Sequence, residues 1–247
     1  MATELASALG LADTAAAGVA ALLRLPGGRG PLLVEQLPSL ELLLVLDPAA
    51  DELRLVDPVQ ASAVARPVRG VDPLTPLWEL TGPLPPGRPV AGADTAGLWT
   101  QGTLLTAALQ VGPAARVVES AVGYARQREQ FGRPIGEFQA VQQLRADMLG
   151  RLEPARVAVR AAAVLLDGDP LLGAQARAEV AGAKLLADEA AVRGARDCLQ
   201  IHGGMGFTWE ADAQLLLKWA WVWQRSFAGA PECAELLAAQ VLADWSS

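Results

Sequence analysis

The feature that most restricts the fold is a change of pattern near Asp94. Before it, brief apolar runs such as 41–47 and 53–57 are cut by prolines at 48, 58, 67, 73, 76 and 83. That punctuation predicts short strands joined by turns, because proline lacks a ladder donor and presets turn geometry. The runs 42–46 and 53–56, separated by an Asp- and Pro-rich connection, predict a hairpin. After Asp94 prolines thin out and apolar residues recur at helical spacing, which predicts a bundle of long helices.

Three regions are therefore expected: 1–30 as a short helical N-terminal remnant, 31–93 as a small truncated β domain, and 94–247 as a helical bundle. In the bundle the first helix is predicted over about 95–127, with Leu98, Leu105, Ala108, Val111 and Val118 inward and a kink at Gly112-Pro113. Further helices are predicted over about 137–166, kinked or divided by Pro154, then 172–201, 210–227 and 231–243. The fold class is mainly α with a small β domain.

Composition narrows the function. With 27 acidic and 20 basic side chains, a net charge of −7 gives no positive field for nucleic acid or an anionic membrane surface. Cys198 and Cys233 lack metal-ligand spacing, the N-terminus shows no basic-then-apolar leader, and apolar runs are short. A cytoplasmic protein without a transmembrane segment or a metal site is expected.

Two segments carry chemistry. Around 126–139, Arg126, Arg128 and Arg133 crowd a helix end broken by Gly132 and Pro134. Their planar forks suit phosphate oxygens, and Phe131 offers a face for an adenine or ribose. The same residues also fit a cationic helix terminus balanced by its dipole and Glu129, with Phe131 in the core. Around 200–210, glycines at 203, 204 and 206 permit unusual backbone or close approach, Gln200 can read an adenine edge, and Thr208 can cap the next helix. A tight interhelical turn is the alternative. His202 is the sole histidine, so a histidine pair is excluded within the chain, and its place in a glycine turn suits packing or hydrogen bonding. On one helix, Trp219 and Trp223 share a face that Trp221 does not.

The stretch Tyr124-Ala-Arg-Gln-Arg-Glu-Gln-Phe-Gly-Arg-Pro-Ile-Gly-Glu-Phe-Gln-Ala-Val-Gln142 resembles the acyl-CoA dehydrogenase family, as does Gln200-Ile-His-Gly-Gly-Met-Gly-Phe-Thr-Trp-Glu210. Ala183-Lys-Leu-Leu-Ala-Asp-Glu-Ala-Ala191 fits the same pattern, and parts of 42–74 resemble the second half of that family's middle β domain. The resemblance implies a C-terminal four-helix bundle and FAD as cofactor. Arg128, Phe131, Gln139, Gln200, Gly203 and Gly204 would meet its adenosine diphosphate portion. It implies removal of two hydrogens next to an acyl-CoA thioester, with a carboxylate taking the α-proton.

The chain departs from that pattern where the carboxylate belongs. Phe227-Ala-Gly-Ala230 puts Ala228 at the usual glutamate position, and the alternative position, early in the first bundle helix, falls near Gly102. Glu210, Asp212 and Glu232 are the nearby carboxylates, each better explained as a surface or helix-start residue. The family's flavin-ring motifs (a Thr/Ser-Glu-x-x-x-Gly-Ser-Asp-like run and a Trp-x-x-Asn-like run) have no counterpart. The expected arrangement is therefore a hetero-oligomer in which a homologous, catalytically complete chain shares the FAD. A self-sufficient homo-oligomeric dehydrogenase with another base, or a scaffold without cofactor, are the other readings.

Overall fold

A computed structural model of the chain describes residues 19–25, 31–168 and 173–245. These fall into two compact units, one up to Leu98 and one from Trp99 onward.

The first unit contains strands β1 (Val19–Arg24), β2 (Leu32–Glu35), β3 (Leu40–Asp47), β4 (Glu52–Val56), β5 (Ala65–Val68), β6 (Leu77–Leu80) and β7 (Arg88–Pro89), with one short helix, α1 (Pro58–Ala63). They form sheets of order β1-β3-β4-β7 and β2-β6-β5. The expected hairpin is present: β3 and β4 are antiparallel, with Leu43 opposite Val56 and Asp47 opposite Glu52. Its turn is held by Asp47, whose Oδ1 accepts from the Ala49 amide at 3.0 Å. Asp57 caps α1 by accepting from the Val59 amide at 2.9 Å, with Pro58 in the first turn. Val34, Leu37, Leu40, Leu43, Val45, Val56, Ala61 and Leu80 form the core between them.

The segment 19–24 differs from the helical expectation. It is a strand that pairs parallel with β3, Ala20 to Leu42 through Arg24 to Leu46. Backbone pairing to the apolar β3 outweighs the weak helical preference of Ala and Leu. The rest of the expected N-terminal helical stretch, 1–18 and 26–30, lies outside the described residues.

The second unit is helical: α2 (Thr95–Gln127), α3 (Gln139–Leu166), α4 (Gly173–His202), α5 (Ala213–Trp223) and α6 (Ala230–Trp245). Asp94 starts α2, its Oδ1 accepting from the Gly97 amide at 2.8 Å. Pro113 and Pro154 lie inside continuous helices, so neither divides its element. The helix expected over 210–227 is shorter, Ala213–Trp223, and Thr208 does not cap it but donates its hydroxyl to the Met205 carbonyl at 2.8 Å.

The inward face of α2 also differs from the purely apolar expectation: Ala108 is exposed, whereas Thr103, Thr106, Gln110, Ala114, Val117, Ala121 and Ala125 are buried. The threonines are tolerated because their hydroxyls donate to the carbonyls of Trp99 and Gly102 one turn back, at 2.8 and 2.7 Å. At the centre lies α4, buried along most of its length by alanines that let α3, α5 and α6 approach closely. No helix among the described residues is long and apolar enough to cross a membrane.

Candidate functional site

The arginine-rich segment follows α2 as a minimal hairpin, β8 (Glu129–Gln130) and β9 (Arg133–Pro134). Phe131 and Gly132 form its two-residue tip with φ of 55° and 78°, the signs a type I′ turn requires. A bulky residue at positive φ is strained, and such strain persists only where the surrounding structure enforces it. Here it holds the Phe131 ring 92% exposed, which excludes the core role open to it from sequence. The base of the loop is closed by the Ile135 amide donating to the Arg128 carbonyl at 2.8 Å. Gly136 allows this return, since a Cβ there would lie 2.9 Å from the Ala125 carbonyl oxygen.

The three arginines differ in availability. Arg133 sits 4.4 Å over the Phe138 ring and pairs loosely with Glu137. Arg126 and Arg128 are exposed and form no ion pair among the described residues. Gln139 is exposed at the first turn of α3.

The glycine-rich segment leaves α4 as a 3-10 turn over Gly203–Phe207. Its glycines have separate reasons. Gly203 takes φ 59°, ending α4 in the left-handed conformation. Gly206 is packed, since a Cβ would come within 3.0 Å of the Leu199 carbonyl oxygen. A Cβ at Gly204 would have nothing within 4 Å, and its φ is not positive, so no contact in this chain demands glycine there. Gln200, Gly203 and Gly204 are all exposed.

His202 joins the two segments. Its ring stacks on Tyr124 with centroids 4.2 Å apart and 20° between planes, while Nδ1 lies 2.8 Å from the Cys198 carbonyl oxygen. This is a packing and hydrogen-bonding residue, as its sequence context indicated. Cys198 is buried, and burial pushes its thiol up to about 11.

At the loop between α5 and α6, both positions where a carboxylate would be sought are filled. Gly102 of α2 faces Phe227 so closely that a Cβ there would overlap the ring. Phe227 itself holds φ 58° and lies 5.1 Å from the Trp99 ring. Ala228 is buried against Ala181 and Cys233. Of the nearby carboxylates, Glu232 accepts from the Trp99 indole N–H at 3.0 Å, Asp212 faces Arg116 at 3.7 Å near the surface, and Glu210 is exposed.

Sequence reasoning missed the buried polar centre beneath that loop. Lys184 is fully buried, its Nζ donating to Asp188 at 2.5 Å and to the carbonyls of Trp223 and Gln224 at 3.3 and 3.4 Å. Gln110 donates to Asp188 and to the Ala220 carbonyl, each at 3.0 Å. Burial raises the Asp188 carboxyl, opposed by Lys184. The lysine thus satisfies carbonyls at the end of α5, where the helix dipole favours a cation. The available signal was a lysine four residues before an aspartate inside an alanine-rich run. An open cleft of about 850 Å³ borders this centre, lined by Asp188, Arg193, Arg196, Trp221 and Arg225, and contains none of the six expected cofactor residues.

Residues 97–242 match the family described as acyl-CoA dehydrogenase, C-terminal domain. Acyl-CoA dehydrogenase FadE34 of Mycobacterium tuberculosis is 39% identical over 178 residues, 71% of this chain and 24% of that protein. Acyl-CoA dehydrogenase IpdE2 of Mycolicibacterium smegmatis is 38% identical over 133 residues, 54% of this chain and 40% of that one. The chain thus spans well under half the length of these relatives. Among solved structures, the ChsE4–ChsE5 complex of Mycobacterium tuberculosis superposes with a TM-score of 0.74 at 25% identity, covering 91% of this chain and 66% of its counterpart. With the family match covering more than half its length, and both glycine- and arginine-rich segments inside the matched region, the chain belongs to the acyl-CoA dehydrogenase family.

Proposed function

We propose that this chain completes the adenosine diphosphate side of an FAD site shared with a homologous, catalytically complete acyl-CoA dehydrogenase chain, in the α,β-dehydrogenation of an acyl-CoA thioester. Proteins of the family bind FAD, and the residues here suit that group. The fork of Arg128 offers paired donors to phosphate oxygens, and the projecting Phe131 ring offers a stacking face. Gln200 offers an amide and a carbonyl to a base edge, Gln139 a further amide, and the open backbone at Gly203 and Gly204 admits close approach. Bound FAD supplies the acceptor for the substrate's hydride.

The contrast between two regions carries this reading. The cofactor-side residues are exposed and joined through Tyr124 and His202, whereas the carboxylate positions are closed by Phe227 against Gly102 and by buried Ala228. Alanine and glycine cannot remove a proton, so the base belongs to another chain. That one structural neighbour is a complex of two named chains, ChsE4 and ChsE5, supports a paired assembly.

The test is co-expression with a homologous chain encoded nearby, followed by flavin absorbance and acyl-CoA-dependent dye reduction. Arg128→Ala should lower flavin retention in the complex roughly tenfold or more, the effect of losing a charge-assisted pair. Flavin bound and reduced by the isolated chain would instead favour a self-sufficient enzyme, and indifference to Arg128→Ala would favour a scaffold.

A further inference from the structure

The cleft beside the Lys184–Asp188 pair has a charge balance unlike that of the chain as a whole. Arg193 and Arg196 lie three residues apart on α4, which sets them on one face, and Arg225, just past the end of α5, joins them in the lining. All three are exposed. The carboxylates beside them are already engaged: Glu189 pairs with Arg193 at 3.2 Å, and Asp188 is held by Lys184 and Gln110. Arg196 lies 5.9 Å from the centre of the Trp221 ring and, like Arg225, forms no ion pair among the described residues.

The helix ends at the cleft add to this charge. The negative end of α5 is met by Lys184, which donates to the carbonyls of Trp223 and Gln224. Gly229 and Ala230 bring the start of α6 to the rim, where the positive end of its dipole reinforces the arginines. A chain of net charge −7 thus gathers uncompensated positive charge in one concavity.

Shape and lining narrow the occupant. A bare phosphate or carboxylate would fill a small part of the 850 Å³, whereas sites for organic ligands span roughly 300–1,000 Å³. Two unpaired guanidiniums, whose planar forks match phosphate oxygens, call for at least two negative charges. Leu185, Trp221 and Pro231 supply an apolar wall for the rest of the molecule.

We infer that this cleft binds an organic phosphate of nucleotide size, its phosphates held by Arg196 and Arg225 and its ring system set against Leu185, Trp221 and Pro231. A free nucleoside diphosphate and the phosphorylated adenosine end of coenzyme A share that chemistry. The site is separate from the proposed FAD site, whose six residues all lie outside the cleft, so it stands or falls independently of that function.

The test is isothermal titration of ADP, and separately of coenzyme A, into the full chain with any partner it purifies with, at low and moderate salt. ADP should bind saturably, and more weakly as salt rises. Arg196→Gln and Arg225→Gln should each weaken binding roughly tenfold, the loss of a charge-assisted contact. Arg128→Ala, in the cofactor segment, should leave it unchanged. Glu189→Gln should tighten it about two- to fivefold by releasing Arg193, a gain that misfolding cannot mimic. Coenzyme A binding more tightly than ADP assigns the cleft to the thioester's carrier, and equal or weaker binding assigns it to free nucleotides. The inference is overturned if neither ligand binds saturably, or if inorganic phosphate binds as tightly as ADP. Binding that survives Arg196→Gln and Arg225→Gln, or is lost with Arg128→Ala, overturns it as well.

Discussion

The Tyr124 ring lies face to face with the His202 ring, centroids 4.2 Å apart, and so couples the end of α2 to the end of α4. These two helix ends carry the arginine hairpin and the glycine turn. Two segments 76 positions apart, counting from Tyr124 to Gln200, are thereby joined by an aromatic pair in addition to the core packing of Ala121 and Ala125 with Cys198 and Leu199. An offset ring pair contributes about 0.5–1.5 kcal/mol beyond its buried area.

Tyr124→Ala should therefore destabilise the chain by about 2–4 kcal/mol, the range for losing a partly buried aromatic. It should also weaken flavin retention in the complex, while Tyr124→Phe preserves both. Denaturant melts and flavin titration read the two effects separately. Retention unchanged in a folded Tyr124→Ala complex would mean that the stack does not position the cofactor residues.

The glycine turn offers an internal control. Gly204→Val meets nothing within 4 Å, so stability should change by less than about 0.5 kcal/mol while flavin retention falls. Gly206→Ala places its methyl 3.0 Å from the Leu199 carbonyl oxygen and should cost about 1–3 kcal/mol of stability. Thermal melts combined with flavin absorbance distinguish the two outcomes.

The closed carboxylate positions predict that restoring a side chain fails sterically before it fails chemically. Gly102→Ala drives a methyl into the Phe227 ring and should destabilise by at least about 1–3 kcal/mol. Because the two residues touch, adding Phe227→Ala should relieve part of that cost, giving a favourable coupling in a double-mutant cycle. Additive losses in urea melts would contradict the contact.

Lys184 and Asp188 are a buried pair, so removing one partner strands the other. Lys184→Met should cost about 3–5 kcal/mol, and changing both to apolar residues should cost less than the single change. Equilibrium unfolding of the three variants checks the order.

Alkaline pH should weaken the fold through the two buried thiols. Burial pushes Cys198 and Cys233 from 9.0 to about 11. Well below pH 9 both remain protonated whether the chain is folded or not, so their contribution to stability is complete. Between pH 9 and 11 the unfolded chain releases thiol protons that the folded chain keeps, and stability falls as pH rises. Each thiol accounts for a loss on the order of 2 kcal/mol. Stability measured from about pH 8 to 11 should decline less steeply when both cysteines are replaced by alanine, and an identical slope would contradict the assignment.

Much of the architecture was legible in the chain. The proline-punctuated runs predicted the β3–β4 hairpin, and the helices α2, α3, α4 and α6 lie close to where periodicity put them. Long periodic segments average over many residues, so individual breakers matter little, and Pro113 and Pro154 are accommodated within helices. The strand at Val19–Arg24 was not legible, because its conformation is chosen by pairing with β3, more than fifteen residues later in the sequence. The inward face of α2 was legible in part: Leu98 is buried and Val111 and Val118 pack against the core, whereas Ala108 is exposed and the buried threonines were not foreseen, because hydroxyls satisfied by the helix's own carbonyls can be buried.

The sequence alone determined which chemical groups exist: guanidiniums and glycines in two motifs, one histidine, and no carboxylate at 102 or 228. Composition and motif order are properties of the covalent chain and need no fold. Only the tertiary structure decided which of those groups are available. It left Arg128 without an ion pair among the described residues, turned Phe131 outward at positive φ, stacked His202 on Tyr124, and closed Gly102 with Phe227. Exposure and contact depend on how distant segments pack, and packing is where a spacing in the sequence becomes a distance.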